Sequence, residues 1–172
     1  MLSDKMCQAM NDQINEEMFS SYLYLSMSAF FEEQGLEGMA SWMKVQAQEE
    51  MIHAMKFFDQ IAERDGRVVL EAIAKPDAEW ESPLAAFEAA YKHEQHITGR
   101  IDTLVSVAEE EKDRASMVFL QWFVSEQVEE EATAKGIVDK LKMFGDAKHA
   151  IYMLDRELAQ RTFAASADED EE

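Results

Sequence analysis

The stretch RVVLEAIAKPDAEWES, residues 67–82, decides the fold, because it is too long to be a turn between two helices. It contains Pro76 and ends at Ser82-Pro83, a capping serine followed by the proline that suits a first helical position. Fully extended, the stretch spans roughly 50 Å, whereas the helix predicted before it is roughly 40 Å long. The stretch can therefore run the full length of a helix bundle, which leaves the next helix parallel to the preceding one.

Helices are predicted on both sides of this crossover, at residues 4–34, 39–65, 83–111, 115–143 and 147–161. Ser3 or Asp4 can cap the first helix, and Gly35 and Gly38 bracket the turn to the second. The first and second helices, and the third and fourth, are joined by short turns, so each pair forms an antiparallel hairpin. The sequence therefore predicts an all-α domain over residues 1–161, a four-helix bundle with one long crossover and a short fifth helix.

Composition and charge restrict the partners of the chain. The net charge of −20 over 172 residues argues against nucleic acid and anionic membranes as partners and would attract cations. The single Cys7 excludes an internal disulfide and suits a reducing compartment. The N-terminal residues lack the apolar core of a signal peptide, and no apolar run reaches membrane-spanning length, so a cytoplasmic location is expected. Residues 162–172, which end in five acids after small residues, are predicted to form a disordered tail.

Each of the four long helices carries an apolar stripe that a carboxylate interrupts near the middle of the helix. The stripes consist of Met10, Ile14, Glu17, Ser21, Tyr24 and Ser28; Met43, Gln46, Glu50, His53, Phe57 and Ile61; Leu84, Phe87, Tyr91, Glu94, Thr98, Ile101 and Val105; and Phe119, Phe123, Glu126, Glu130, Thr133 and Ile137. In a bundle of matched helices these acids lie in one layer, and no lysine or arginine lies on the stripes at that height. Buried carboxylates without cations are costly unless they are protonated, so the layer predicts bound metal ions.

The spacing of one histidine supports this prediction. In Glu50-x-x-His53 a carboxylate and an imidazole share one face of a helix, which is the ligand pair of carboxylate-bridged di-iron bundles. Oxygen ligands with one nitrogen, and no thiolates, suit iron or manganese.

Four segments, in this order, closely resemble the bacterial non-haem ferritins: EEMFSSYLY (residues 16–24), QAQEEMIH (46–53), YKHEQHIT (91–98) and QWFVSEQVEEE (121–131). The similarity extends over about residues 1–161. It implies a ferritin-like fold and an iron-storage protein that is also a ferroxidase, oxidising Fe(II) with O2 or H2O2 at a di-iron centre. It further implies a hollow shell of 24 identical subunits that stores Fe(III) mineral and serves iron homeostasis.

The same resemblance implies a role for each matching position. Glu17, Glu50 and His53 would bind the first iron, with Glu50 as the bridge, and Glu94 and Glu130 would bind the second. Further positions are Gln127 beside the second iron; Glu49, Glu126, Glu129 and Glu130 as a third iron site; and Tyr24 and Trp122 as aromatic electron donors. Simpler alternatives are a solvated face for Glu49, Glu126 and Glu129, and plain packing for the two aromatic residues. His93, His96 and His149 are expected at the surface.

One departure from the related haem-containing bacterioferritins bears on the cofactor. Those proteins have Glu-x-x-His twice, whereas Glu130 stands here in place of the second histidine, so the centre is asymmetric. Met51 occupies the position that holds haem in bacterioferritins, but non-haem relatives also carry EEM there, and no haem is expected. Two other functions stay open at this point: a ferritin-like di-iron oxidase or peroxidase without mineral storage, and a purely structural acidic bundle.

Overall fold

A computed structural model of the chain describes residues 1–145 and 147–163, and within these ranges every regular element is a helix. The helices are α1 (Asp4–Glu33), α2 (Glu37–Glu63), α3 (Pro83–Glu110), α4 (Arg114–Phe144) and α5 (Lys148–Leu158). The prediction of an all-α fold with a short fifth helix is confirmed. The tail predicted at residues 162–172 lies, from residue 164 onward, outside the described residues.

Side-chain caps explain where the long helices begin. Ser82 caps α3 as predicted, because its Oγ accepts a hydrogen bond from the Ala85 N–H at 3.1 Å. In contrast, α2 has no cap of its own next to it in the sequence. Its first turn instead donates the Met39 N–H to Asp155 Oδ1 of α5 at 2.8 Å. The fifth helix therefore completes the start of the second.

The crossover is held along α1 by polar side chains at both of its ends. Asn11 Oδ1 accepts a hydrogen bond from the Val69 N–H at 2.7 Å, and Ser26 Oγ donates one to the Asp77 carbonyl at 2.6 Å. Because later crossover residues contact later residues of α1, the crossover runs parallel to α1. It thus returns the chain to the end of the bundle at which α2 began, and α3 is parallel to α2, as the length of this stretch predicted.

The interior consists of two apolar clusters with a polar layer between them. One cluster includes Met10, Ile14, Phe57, Ile97, Ile101 and Phe123. The other includes Met27, Met43, Phe87, Ala90, Ile137 and Leu154. The buried polar side chains between them include Glu17, Gln46, Glu50, His53, Glu94, Gln127 and Glu130. Over the described part of the chain, no helix is long and apolar enough to cross a membrane.

The stripe predicted for the fourth helix is wrong at three of its six positions. Phe119 and Glu126 are only half-buried and Thr133 is exposed, whereas the next residue in each case is buried: Leu120, Gln127 and Ala134. The predicted and the observed stripes share Phe123, Glu130 and Ile137, because both follow the alternating spacing of three and four residues. Between the shared positions, each buried residue lies one position later than predicted. Packing against the neighbouring helices decides which of the two adjacent residues is buried.

Candidate metal centre

Glu17 of α1 and the pair Glu50 and His53 of α2 converge in the middle of the bundle. Their ligand atoms lie within 4.8 Å of one another, and the three residues are 1%, 2% and 4% exposed. His53 Nδ1 is 3.2 Å from Glu50 Oε2, because residues three apart share one face of a helix. The structure therefore brings together all three residues that the sequence assigned to the first metal ion.

Glu94 of α3 and Glu130 of α4 complete the buried layer. Tyr24 donates its hydroxyl to Glu94 Oε1, and Gln127 Nε2 donates to Glu94 Oε2 at 3.3 Å. Gln46 links the two halves of the layer, since its Nε2 donates to Glu130 Oε2 at 2.7 Å and to Glu50 Oε1 at 3.1 Å. Four helices thus each contribute a buried carboxylate to one site.

Burial and mutual repulsion keep protons on these acids. Burial, followed by the charge of Glu50, raises the pKa of Glu17 to about 8. Burial, followed by the charge of Glu130, raises the pKa of Glu50 to about 8, and burial likewise raises the pKa of Glu94 well above its usual value. A cation placed between the carboxylates would offset the cost of burial and the repulsion, so the layer suits a bound cation.

Glu17 also has a free ligand position. Its Oε1 accepts a hydrogen bond from Gln13 Nε2 at 2.9 Å, whereas its buried Oε2 has no hydrogen-bond donor among the described residues. When Glu17 ionises, this buried oxygen is unsatisfied, which is costly, and a metal ion would satisfy it. The donor set of carboxylates and one imidazole suits Fe(II), which is a borderline-hard ion.

The four acids predicted as a third site divide into two groups. Glu126 joins His53 and Glu130, with ligand atoms within 4.8 Å of one another. Glu129 is exposed, and Glu49 forms an ion pair with Arg161. Burial raises the pKa of Glu49, the charge of Arg161 opposes that shift, and the charges of Glu130, His53 and Glu126 also act on it. Two of the four predicted ligands thus lie together with His53, whereas Glu49 lies near them in an ion pair and Glu129 is exposed.

Comparison with known proteins identifies the family. A family model described as a ferritin-like domain matches residues 7–144. The chain belongs to the ferritin-like family. It is 50% identical over 161 residues to a bacterial non-heme ferritin of Bacteroides fragilis strain 638R, covering 94% of this chain and 100% of the relative. A bacterial non-heme ferritin of Campylobacter jejuni is 42% identical over 91% of this chain and 93% of its own.

Solved structures agree with this assignment. An open pore ferritin from the archaeon Archaeoglobus fulgidus superposes with a TM-score of 0.94 at 54% sequence identity, over 94% of this chain and 100% of that one. A closed form of the same ferritin, engineered by site-directed mutagenesis, also has a TM-score of 0.94. The resemblance to bacterial non-haem ferritins and the ferritin-like fold, both predicted from the sequence, are confirmed.

The two aromatic residues predicted to act in electron transfer lie at different depths in this ferritin-like chain. Tyr24 is 1% exposed and contacts Glu94 directly. Trp122 is 38% exposed, and its ring stands edge-on to His53 with 5.3 Å between the ring centroids. Both therefore touch a predicted ligand, which is compatible with electron transfer and with packing alike.

Several residues that shape the site were not assigned a role from the sequence. Gln13 and Gln46 each precede a buried glutamate by four residues and donate to it, a spacing that could have indicated them. His93 was expected at the surface, but it is half-buried, with Nε2 2.7 Å from Ser20 Oγ. Burial lowers the pKa of His93 to about 4. Met51, the position compared with the bacterioferritin haem ligand, is 41% exposed.

Proposed function

We propose that this chain is an iron-storage subunit with ferroxidase activity. The observation that carries the proposal is the layer of four buried carboxylates and one imidazole, with a carboxylate oxygen that lacks a donor in the described part of the chain. A purely structural bundle would gain nothing from such a layer, because each buried acid costs free energy unless it is protonated or bound to a cation. The bacterial non-heme ferritins at 42–50% identity support iron as that cation.

In this proposal two Fe(II) ions are the substrate of each subunit. Glu17, Glu50 and His53 bind one ion, and Glu94 and Glu130 bind the other, with Gln127 beside it. Glu50 is the bridge, which is supported by its position between Glu17 and the Gln46 amide that also reaches Glu130. Glu126 and Glu130 are the central ligands of a proposed third iron site, and Glu49 and Glu129 are its further ligands.

The reaction balances with two electrons and two protons. Two Fe(II) ions each lose one electron to one O2, which takes up two protons and leaves as H2O2; with H2O2 as the oxidant, the products are two waters. Because Glu17 and Glu50 have pKa values of about 8, the metal-free site holds protons at neutral pH and releases them as iron binds. The resulting carboxylates stabilise Fe(III) more than Fe(II) and so favour oxidation. We propose Tyr24 and Trp122, which contact Glu94 and His53, as sources of electrons beyond the two that the iron ions supply.

We further propose that the subunit assembles into a shell of 24 copies that stores the oxidised iron as mineral. The ferritin relatives support this, and so do apolar side chains that the single chain leaves exposed. Tyr22 and Leu25 of α1, and Leu70 and Ile73 of the crossover, are 51%, 47%, 59% and 42% exposed. Large exposed apolar side chains on neighbouring elements are typical of surfaces that bind another subunit.

The test combines assembly, loading and oxidation. The native chain is expected to elute as one large particle in gel filtration and to retain far more iron than its metal centres can bind. The variant Glu50→Ala with His53→Ala should assemble but lose fast Fe(II) oxidation, because the first site loses two of its three ligands. Asp59→Ala, an exposed acid on the same helix, is the matched control and should behave as the native chain.

Two outcomes would contradict the proposal. Unchanged initial oxidation in the double variant would show that the centre lies elsewhere. Fast oxidation by a small particle that retains no mineral would favour the alternative of a di-iron oxidase or peroxidase without storage.

A further inference from the structure

Arg161, just after α5, reaches the metal centre from outside the four long helices. Its Nη1 donates to Gln46 Oε1 at 2.8 Å, and its Nη2 pairs with Glu49. The guanidinium carbon also lies 4.4 Å from the ring centroid of Trp42. A planar guanidinium held by two hydrogen bonds and an aromatic face has a defined position, unlike a solvated surface arginine.

The contact with Gln46 orients an amide at the centre. Because the Gln46 carbonyl oxygen accepts from Arg161, its NH2 group is directed to Glu50 and Glu130, at 3.1 Å and 2.7 Å. The arginine is thus one hydrogen bond away from two of the carboxylates proposed to bind iron.

The contact with Glu49 has a different consequence. Glu49 is the neighbour of Glu50 in the sequence and is one of the acids predicted for the third iron site. Its carboxylate pairs with Arg161, and the charges of Glu130, His53 and Glu126 also act on it, so it lies at the edge of the group that these three residues form. Arginine stays charged at all relevant pH values, so a metal ion that binds Glu49 must share the carboxylate with Arg161 or displace the guanidinium.

We propose that Arg161 is a positioning residue that competes with a metal ion for Glu49 and thereby weakens the third metal site. The proposal rests on the proposed function, because it assumes a di-metal centre at Glu17, Glu50, His53, Glu94 and Glu130. The permanent charge of Arg161 also repels a divalent cation at this edge of the centre. An ion at the third site is therefore held loosely and passes on, whereas the two ions in the buried layer are held tightly.

The experiment is a titration of the metal-free, assembled full chain with Co(II), which binds like Fe(II) but is not oxidised by air. The native protein should bind two ions tightly and a third weakly. Arg161→Ala should bind the third ion about tenfold more tightly or better, because the ion then no longer competes with a charge-assisted hydrogen bond to Glu49 or meets the charge of Arg161. Adding Glu49→Gln to Arg161→Ala should abolish that gain, because the released carboxylate is then absent.

Three further variants separate positioning from loss of charge or packing. Arg156→Ala removes an exposed arginine of α5 and should match the native protein. Arg161→Lys keeps a cation against Glu49 and should restore weak binding of the third ion. Arg161→Gln keeps much of the side-chain contact with Trp42 and should still tighten the third site, which covers the case in which the alanine variant fails to fold.

The proposal is overturned if neither Arg161→Gln nor Arg161→Ala binds the third ion more tightly than the native chain. It is also overturned if the gain persists when Glu49 is replaced by Gln. The two tightly bound ions of the native chain test the proposed function by themselves. A missing tight site would contradict the proposed function, whereas an unchanged third site would contradict only the role proposed for Arg161.

Discussion

Folding and the proposed function require opposite protonation states of Glu17 and Glu50. Both side chains are fully buried, and both have pKa values of about 8, well above the ordinary value of 4.5. In the metal-free chain both are mainly neutral acids below about pH 8, whereas metal binding needs them as carboxylates. Proton release and metal uptake are therefore linked at these two residues.

This linkage predicts the pH dependence of stability. Because the folded pKa of Glu17 is raised, the folded state holds a proton that the unfolded state loses above pH 4.5, so stability is full below that pH and falls as pH rises to about 8. Glu17→Gln cannot ionise, and at pH 8 the metal-free variant should be more stable than the native chain by on the order of a few kcal/mol. Below pH 5 the two should be alike.

Thermal unfolding of the metal-free proteins between pH 5 and 8.5 would measure this difference. Asp59→Asn, which neutralises an exposed acid, controls for the general effect of removing one charge from an acidic protein. If the melting temperatures of the native chain and Glu17→Gln change equally with pH, Glu17 is ionised in the metal-free fold.

Neighbouring glutamates of α4 are predicted to differ in function. Glu130 is 6% exposed and lies in the buried layer, whereas Glu129 is exposed. Glu130→Ala should slow the fast phase of Fe(II) oxidation about tenfold or more, because a ligand of the reacting pair is lost. Glu129→Ala should leave that phase nearly intact and change only the number of irons oxidised per oxygen. Stopped-flow oxidation at two irons per subunit distinguishes the two variants. If Glu129→Ala slowed the fast phase and Glu130→Ala did not, the assigned orientation of α4 would be wrong.

At the scale of elements, the contact between α2 and α5 explains the placement of one glycine. Gly38 lies in the first turn of α2, and a Cβ built there would be 1.7 Å from the Asp155 carbonyl oxygen. The same close approach lets Asp155 Oδ1 accept the Met39 N–H. The fifth helix, which carries the chain to Arg161, thus packs on α2 only because residue 38 has no side chain.

Two glycine substitutions should therefore have opposite effects. Gly38→Ala should lower the free energy of unfolding by about 1–3 kcal/mol or displace α5, because the new methyl group meets backbone rather than a flexible side chain. Gly136→Ala, at an exposed position inside α4, should raise it by about 0.5–1 kcal/mol, because among the described residues no atom beyond the adjacent helix backbone lies within 4 Å of the new Cβ. Thermal unfolding of both variants decides this, and a neutral Gly38→Ala would mean that α5 is not docked as described.

At the scale of the whole molecule, the metal layer and the apolar packing are separate. The two apolar clusters lie on either side of the layer, so the acids can be replaced without removing the contacts that hold the bundle together.

The large negative charge of the protein is distributed unevenly along the chain. Five of the acids behind the net charge of −20 lie at residues 168–172, outside the described residues, which leaves −15 on the remainder of the chain.

The terminal acids are predicted to be dispensable. A chain that ends at Ala165 should assemble and oxidise iron as the full chain does, because a run of acids after small residues has no apolar surface to bury. Gel filtration and initial oxidation rates would check this. A smaller particle after truncation would show that the tail takes part in assembly.

The sequence by itself determined the topology and the faces of two helices. The length of residues 67–82 allowed one crossover along the bundle, and the six stripe positions predicted on α1 and the six on α2 are all buried. These inferences succeed because chain length limits reach, and because the helical period of about 3.6 residues places every third or fourth side chain on one face. The resemblance of four motifs then predicted metal ligands, of which the structure brings Glu17, Glu50 and His53 together.

Only the tertiary structure decided which groups meet from distant parts of the chain. The choice between Glu126 and Gln127 on α4 depended on the helices packed beside it. Arg161 contacts Glu49 across 112 residues, and Asp155 caps α2 across 116 residues. No spacing in the sequence encodes such contacts, because they depend on how a separate helix docks, and that docking is set by packing rather than by helical periodicity.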